Sequence, residues 1–455
     1  MTKQDICDNI VLIILRKEVI MLSTKTIETY QDILIEELQV AMGCTEPIAI
    51  AYASSIARDA LGGRLPDKIT VCLSGNIIKN VKSVIVPSTG GMHGIESAVA
   101  AGVISGRYDL KLELLSVIEE KDISSILEYK NKSQIVVEEL DSPCNFDLLI
   151  VADNSNERAM VRISDYHTNV VSVTHKFVEQ NEVNDLTEKY RNETAEMGKS
   201  LKKADRSLLN VKDIVEFADT VDLTNIKPYL NRQIEMNMAI AVEGLTNDYG
   251  ATIGKILYKN GEAPLKEKIK AFAAAGSDAR MSGCELPVCI ISGSGNQGIT
   301  ASVPVVVYTK ENGIDEEKML RAVLISDLVT IHQKTGIGTL SAYCGAISAG
   351  VGAGAGICYL RGGSYHTIAH TLVNAVAILS GTICDGAKAS CAAKIAMAVE
   401  AGIMGCEMAS AKKQFYGGDG IVTKGVENTI RNVGMLARDG MSSTDKEIIK
   451  IMLGK

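Results

Sequence analysis

Cys384-Asp385-Gly386-Ala387-Lys388-Ala389-Ser390-Cys391 sets two thiols, an acid, a glycine, a lysine and a serine in one short stretch of a small, apolar, helix-prone neighbourhood. On a continuous helix the two cysteines would share a face yet stand about 10.5 Å apart along the axis. That is too far for two thiolates on one small metal group. If both bind the same group, the chain folds back between them, and Asp385-Gly386 is the place for a turn leading into a helix. The alternative keeps both as small core residues two turns apart on an unbroken helix, since free cysteine is among the most buried residue types. The choice decides whether this half of the chain is a stack of unbroken helices or a set of helices interrupted by loops that present thiols. A third cysteine, Cys344, lies upstream in another glycine-rich run, Tyr343-Cys344-Gly345-Ala346. No CxxC pair is present, which speaks against a zinc ribbon or a ferredoxin-type site.

Working outward, the periodicity after about Asp213 is almost wholly helical, with one insertion of β-branched residues at Ser302–Tyr308. Glycine, alanine and cysteine concentrate in the runs 271–283, 291–300, 336–356 and 381–405. Nearer the N-terminus, Ile27, Tyr30, Ile33, Leu34, Leu38 and Ala41 have helical spacing that breaks at Gly43-Cys44-Thr45-Glu46-Pro47. A second helical run follows from Ile48 to Leu61, with Pro47 suited to its first turn. Strand signals then appear at 69–73, 83–86, 111–117, 134–139, 147–152, 160–163 and 169–173, with an alanine-rich helix at 95–103. Residues 177–210 are polar and charged, as expected of a connector. The expected fold class is α+β: an α+β domain over residues 22–200, with an antiparallel or mixed sheet and the Cys44 motif, then a larger all-helical domain over 201–455 carrying the cysteine motifs. Residues 1–21 read as an N-terminal extension, because Met21 before Leu22-Ser23-Thr24 would make a natural start.

A chain of 455 residues exceeds one ordinary core, and 46% hydrophobic content is ample for two. The 40 glycines against 4% aromatics imply helices that approach closely, with a homodimer as the candidate assembly. A formal charge of −8 without a long Lys/Arg run excludes a nucleic-acid footprint and leaves a small molecule as the expected partner. Eleven cysteines, an odd number, without an export signal place the chain in a reducing, cytoplasmic setting where thiols serve packing, catalysis or metals. The stretch Thr335–Leu360 is membrane-like by hydropathy, but its seven glycines and two cysteines favour a buried core segment.

Several constellations could carry chemistry. Cys44, just before a helix start, would feel free N–H groups and the positive end of the helix dipole, which favour a thiolate able to act as nucleophile or general base. The bland reading is an interhelix turn in which Thr45 or Glu46 caps the next helix. Ser292-Gly293-Ser294-Gly295-Asn296-Gln297-Gly298 has the composition of a loop whose N–H groups converge on a carboxylate or phosphate. It lacks the Lys-Ser/Thr of a P-loop and the strand context of a dinucleotide site, and a structural turn is the commoner meaning. Ser88-Thr89-Gly90-Gly91 is a weaker candidate of the same kind. Within Ser277-Asp278-Ala279-Arg280-Met281, Arg280 could clamp a carboxylate bidentately, or pair with Asp278 at a helix end. His366 and His370 have i,i+4 spacing but no acid and read as packing residues; His93, in its glycine loop, is the histidine to watch.

In this combination and order, Gly43–Pro47, Ser277–Met281, Ser292–Gly298 and Cys384–Cys391 resemble the L-cysteine desulfidase family, which is related to the catalytic subunit of iron–sulfur L-serine dehydratases. The resemblance covers about residue 22 to the C-terminus. It implies an oxygen-sensitive [4Fe–4S] lyase converting L-cysteine to pyruvate, ammonia and sulfide. By motif it implies Cys344, Cys384 and Cys391 as cluster ligands and Cys44 as proton acceptor, with Cys44 as a ligand the alternative. Arg280, Ser292, Asn296, Gln297, Ser88 and Thr89 would then hold the substrate. An L-serine dehydratase using the same cluster, a non-catalytic iron–sulfur sensor, and a pyridoxal-phosphate lyase are the competing readings.

Overall fold

The computed structural model describes residues 22–142, 144–179, 182–190, 204–338 and 340–454. The extension expected over 1–21 and much of the polar connector lie outside the described residues. The chain opens with helix α1 (Thr24–Glu37), strand β1 (Val40–Met42) and helix α2 (Thr45–Ala60). Strand β2 (Lys68–Leu73), helices α3 (Gly75–Val81), α4 (Gly94–Ser105) and α5 (Glu120–Lys132), and strand β3 (Gln134–Glu139) follow. Strands β4 (Asp147–Asn154), β5 (Glu157–Ser164), β6 (Val170–Phe177) and β7 (Val183–Asp185) complete a mixed sheet of order β3-β2-β4-β5-β6-β7. Only β2 and β3 run parallel, because the chain between them crosses over through three helices; the other neighbours are antiparallel. Ile69, Val71 and Leu73 of β2, Leu148, Ile150 and Ala152 of β4, and Ala159, Val161 and Ile163 of β5 are buried in the alternating pattern of a half-covered sheet. Helix α2 packs against β4 and β5.

The strand expected at 111–117 is instead a 3₁₀ helix over Tyr108–Glu113 followed by a turn. Its leucines satisfy burial in a tight turn, with Leu112, Leu114 and Leu115 all inside, so alternation alone did not separate the two. The segment 83–86 reduces to an isolated bridge between Ile85 and His93.

The rest is helical: α6 (Val211–Thr220), α7 (Lys227–Thr246), α8 (Ile253–Tyr258) and α9 (Leu265–Met281), then the short strand β8 (Pro287–Cys289). Beyond it come α10 (Gly295–Glu311), α11 (Glu316–Ile337), α12 (Gly345–Leu360), α13 (Tyr365–Leu379), α14 (Cys391–Ser410), α15 (Val426–Met435) and α16 (Ser442–Leu453). The β-branched run 302–308 lies inside α10, where Val303, Val305, Val306 and Val307 are buried around Pro304. Burial all round outweighs the small helix-propensity loss of valine. Of the glycine-rich stretch expected to be a core segment, Gly345–Leu360 forms α12, buried along its length, and among the described residues no helix is long and apolar enough to cross a membrane.

α12 and α14 run in parallel, in step. A Cβ on Gly402 would stand 2.1 Å from the Gly350 carbonyl oxygen, and one on Gly354 would stand 2.5 Å from that of Gly402. Two further connections fix the site. Strand β1 pairs antiparallel with β8, Val40 opposite Cys289, and so draws the Cys44 turn onto the loop that starts α10. The C-terminal helix α16 returns to lie against α3, where Lys79 bonds Asp445 at 2.6 Å. The sheet and the helices share one continuous apolar core.

Candidate functional site: a thiol-lined cavity

The chain turns where a shared site requires it. Gly386 has φ +98°, and a Cβ there would stand 2.4 Å from the Lys79 carbonyl oxygen, so the position excludes a side chain. Cys384 lies before this turn and Cys391 begins α14, so the two cysteines do not share a helix. Cys344 is brought beside Cys384 by a backbone ladder: the Cys344 N–H donates to Thr382 O at 3.0 Å and the Cys384 N–H to Ala342 O at 2.6 Å, around the Tyr343–Ile383 bridge. Asp385 holds the turn by accepting from Lys388 and, at 2.6 Å, from Lys394. Lys79 Nζ donates to Cys384 O at 3.2 Å.

These three cysteines line one cavity of about 100 Å³ together with Cys44, Glu46, Lys79, Asn80, Arg280, Ser292, Asn296, Gln297 and Lys334. The volume is below the roughly 300–1,000 Å³ of drug-sized ligand sites, so the free space suits a small ligand. Ser88 and Thr89 are not among the lining residues; Thr89 is buried and donates to Val86 O at 2.7 Å. His93 caps α4 and does not line the cavity, while His366 and His370 are exposed rather than packed.

Four helices begin at this cavity. Cys44, Ser294 and Cys344 are the N-cap residues of α2, α10 and α12, and Cys391 is the first residue of α14. Their free N–H groups and dipoles make the wall electropositive. Arg280, buried at the end of α9, adds a cation whose Nε has no partner among the described residues. A Cβ on Gly295 would stand 2.4 Å from that Nε, so the start of α10 is moulded to the guanidinium. Arg280 does not pair with Asp278, which accepts from the Gly254 N–H at 2.8 Å instead. Asn296 Oδ1 and Gln297 Oε1 are likewise buried and, among the described residues, unpaired. Ser292 contributes through its backbone, whose N–H donates to Glu37 at 2.8 Å and anchors the loop.

The electrostatics differ from the sequence expectation at Cys44. Burial and the adjacent Glu46 carboxylate raise its thiol well above the ordinary range, outweighing Arg280 and the Glu46 backbone N–H. Its Sγ donates to Glu46 Oε2 at 3.1 Å. Glu46 is also held by Asn80 Nδ2 at 2.9 Å, and Thr45 Oγ1 lies 3.1 Å from the same carboxylate and 2.9 Å from Gly293 O. Burial pushes the Glu46 carboxyl up, but His167, the Cys44 thiol, its own N–H and Arg280 together bring it below the usual value. Burial also lowers the His167 imidazole. A neutral ring is a poor counter-ion, so the hydrogen bonds and Arg280 are the dependable support for the carboxylate. At the other thiols, the Cys344 hydrogen bond, Lys79 and Lys394 lower Cys384 against its burial, whereas the bond to Cys384 and burial raise Cys344 and burial raises Cys391. Burial lowers Lys334 to about 8, against the pull of Cys384 and Cys344.

Glu46 was visible in the sequence only as a helix cap. Lys79, Asn80, Lys334 and His167 carried no motif, since each is a lone polar residue whose meaning comes from what folds around it.

Three thiols, four helix N-termini and buried cations fit a multi-iron group with thiolate ligands, whose net charge is negative. Among the described residues no three Cys, His, Asp or Glu converge as a single-ion site. The model of the serine dehydratase alpha chain family matches residues 109–450, a span that contains Arg280 and all three candidate ligands and leaves Cys44 outside. A UPF0597 protein of Desulfitobacterium hafniense is 52% identical over 428 residues, covering 94% of this chain and 97% of the relative. UPF0597 proteins of Treponema denticola and Finegoldia magna are 44% and 45% identical over 431 residues, covering 94% of this chain and 98% and 100% of the relatives. With so much of the sequence matched and the thiols lining one cavity, the chain belongs to the serine dehydratase alpha chain family.

Proposed function

We propose that this chain is an iron–sulfur-dependent lyase that eliminates sulfide from L-cysteine, giving pyruvate, ammonia and hydrogen sulfide in the cytoplasm. The observation that carries the reading is the joint presence of Cys344, Cys384, Cys391, Cys44 and Arg280 on one cavity. Cys344, Cys384 and Cys391 would hold a [4Fe–4S] group as thiolates: Lys79 and Lys394 already lower Cys384, and the charge of the bound irons would offset the burial that raises Cys344 and Cys391. When bound with one iron open, such a group supplies Lewis acidity toward the β-substituent.

The chain's own residues do the rest. Arg280, confined by Gly295, takes the substrate carboxylate. The unpaired carbonyls of Asn296 and Gln297 accept from the α-ammonium group. Cys44 Sγ accepts the Cα proton, and the electron pair left on carbon expels sulfide from Cβ. The resulting aminoacrylate tautomerises to an imine that water hydrolyses to pyruvate and ammonia.

A second reading is favoured by the name of the matched family: the same site would eliminate hydroxide from L-serine. Assay of anaerobically purified protein on both amino acids separates them. Sulfide and pyruvate from L-cysteine are expected; pyruvate from L-serine with no sulfide from L-cysteine would replace the proposal with the second reading. A bound cluster without pyruvate from either would make the protein a sensor. Cys344→Ala, Cys384→Ala and Cys391→Ala should each lose the broad iron–sulfur absorbance, whereas a Schiff-base absorbance with activity intact in these variants would indicate pyridoxal phosphate and sink both readings.

A further inference from the structure

Cys44 cannot serve as a base while it keeps its proton, and its surroundings keep it a thiol. Its Sγ–H points to Glu46 Oε2 at 3.1 Å, in a place where a carboxylate is costly. Acidic residues are common in the first turn of a helix, where the dipole favours them, but an exposed carboxylate would serve that end. Glu46 is instead buried and lines the cavity, with Cys44 and Thr45 against one oxygen and Asn80, from α3, against the other. Asn80 and Thr45 fix the carboxylate's orientation, so that Oε2 faces the sulfur. The charged and titratable groups facing Glu46 are Cys44, His167 and Arg280.

We propose that Glu46 is the positioning residue that completes the base: as Cys44 Sγ takes the Cα proton, its own thiol proton passes to Glu46 Oε2. The inference rests on the reading of Cys44 as proton acceptor given above. The balance is simple. The Cα–H bond breaks and its electron pair becomes the second Cα–Cβ bond, while the Cβ–S pair leaves with sulfide; one S–H bond forms as another breaks; Glu46 ends as a neutral carboxylic acid. Cys44 is a thiol before and after, so no free thiolate has to accumulate in a buried site beside a carboxylate. Loss of the proton from Glu46 to solvent after product leaves restores the start.

The test uses the anaerobically purified holoprotein and three readouts: turnover, exchange of the substrate Cα proton for deuterium, and the rate at which iodoacetamide alkylates Cys44, followed by peptide mapping. Glu46→Gln keeps the shape and can still accept from Asn80. It should lower turnover and exchange by about 100-fold or more with iron content and KM unchanged. Alkylation of Cys44 at neutral pH should become faster in the same variant, because the neighbouring negative charge is gone. Glu46→Asp, which keeps the charge one methylene further back, should recover at least about tenfold over Glu46→Gln. The proposal is overturned if Glu46→Gln stays within about threefold of the wild type. It is equally overturned if both variants lose iron, turnover and alkylation together, which would make Glu46 part of the scaffold only. Wild-type protein that binds iron yet exchanges neither L-cysteine nor L-serine would instead remove the reading of Cys44, and this proposal with it.

Discussion

At the residue scale, two buried side chains give opposite expectations. Arg280 has a guanidinium whose Nε lies against Gly295 and has no partner among the described residues, an arrangement that a planar fork can use and a point charge cannot. Arg280→Lys is therefore expected to raise KM about tenfold or more in a steady-state assay with kcat less affected; an unchanged KM would take Arg280 out of substrate binding. Asp327, in the middle of α11, accepts from Gln233 Nε2 at 3.0 Å and has a second oxygen unpaired among the described residues. Burial pushes its carboxyl up to about 8. Since the folded pKa is raised, its contribution is intact below about pH 4 and is lost as pH rises toward 8. Asp327→Asn should then raise unfolding free energy at pH 7 by about 1–3 kcal/mol and change little near pH 4, as followed by urea denaturation. A variant less stable at pH 7 would show that the carboxylate is needed. The same physics explains what the sequence concealed at Cys44: position before a helix is readable, whereas burial and a carboxylate folded against it are not.

Elements explain why glycine is so frequent in the second half. The parallel pair α12 and α14 touches backbone to backbone through Gly350, Gly354 and Gly402, an arrangement that a run of small residues announces without naming its partner. Gly402→Ala would drive a methyl into the Gly350 carbonyl and is expected to cost about 1–3 kcal/mol in thermal or chemical unfolding. It should also loosen the proposed iron site, because Cys344 and Cys391 sit at the starts of these two helices; a variant of wild-type stability and iron content would contradict that coupling. The helical half, the half-covered strands β2 to β6 and the turn at Asp385-Gly386 were all legible, since periodicity and turn chemistry are local. The 3₁₀ segment at 108–113 and the valines of α10 were not, because alternation and β-branching describe side chains that want burial without saying which backbone provides it.

The whole molecule assembles the site from distant parts. Cys44 arrives on the ribbon β1–β8, and the Cys384 loop is tied through Lys79 to Asp445 on the final helix. Removal of residues 442–455 should therefore leave Lys79 without its carboxylate and lower iron retention during anaerobic gel filtration, even though no cavity residue is deleted. Full iron retention in the truncated chain would show the final helix to be an accessory. None of this long-range stitching has a sequence signal: a three-residue strand such as β1 is too short to show a period, and an ion pair across the chain leaves no pattern in a single sequence.

The ribbon also orders events during folding. The three candidate iron ligands fall between Cys344 and Cys391, close enough to meet as soon as α12 and α14 dock, while Val40 must find Cys289 across a far longer loop. Contacts of greater sequence separation form more slowly. On this ordering the thiols of Cys344, Cys384 and Cys391 are expected to gather before the ribbon brings Cys44 and Glu46 to them.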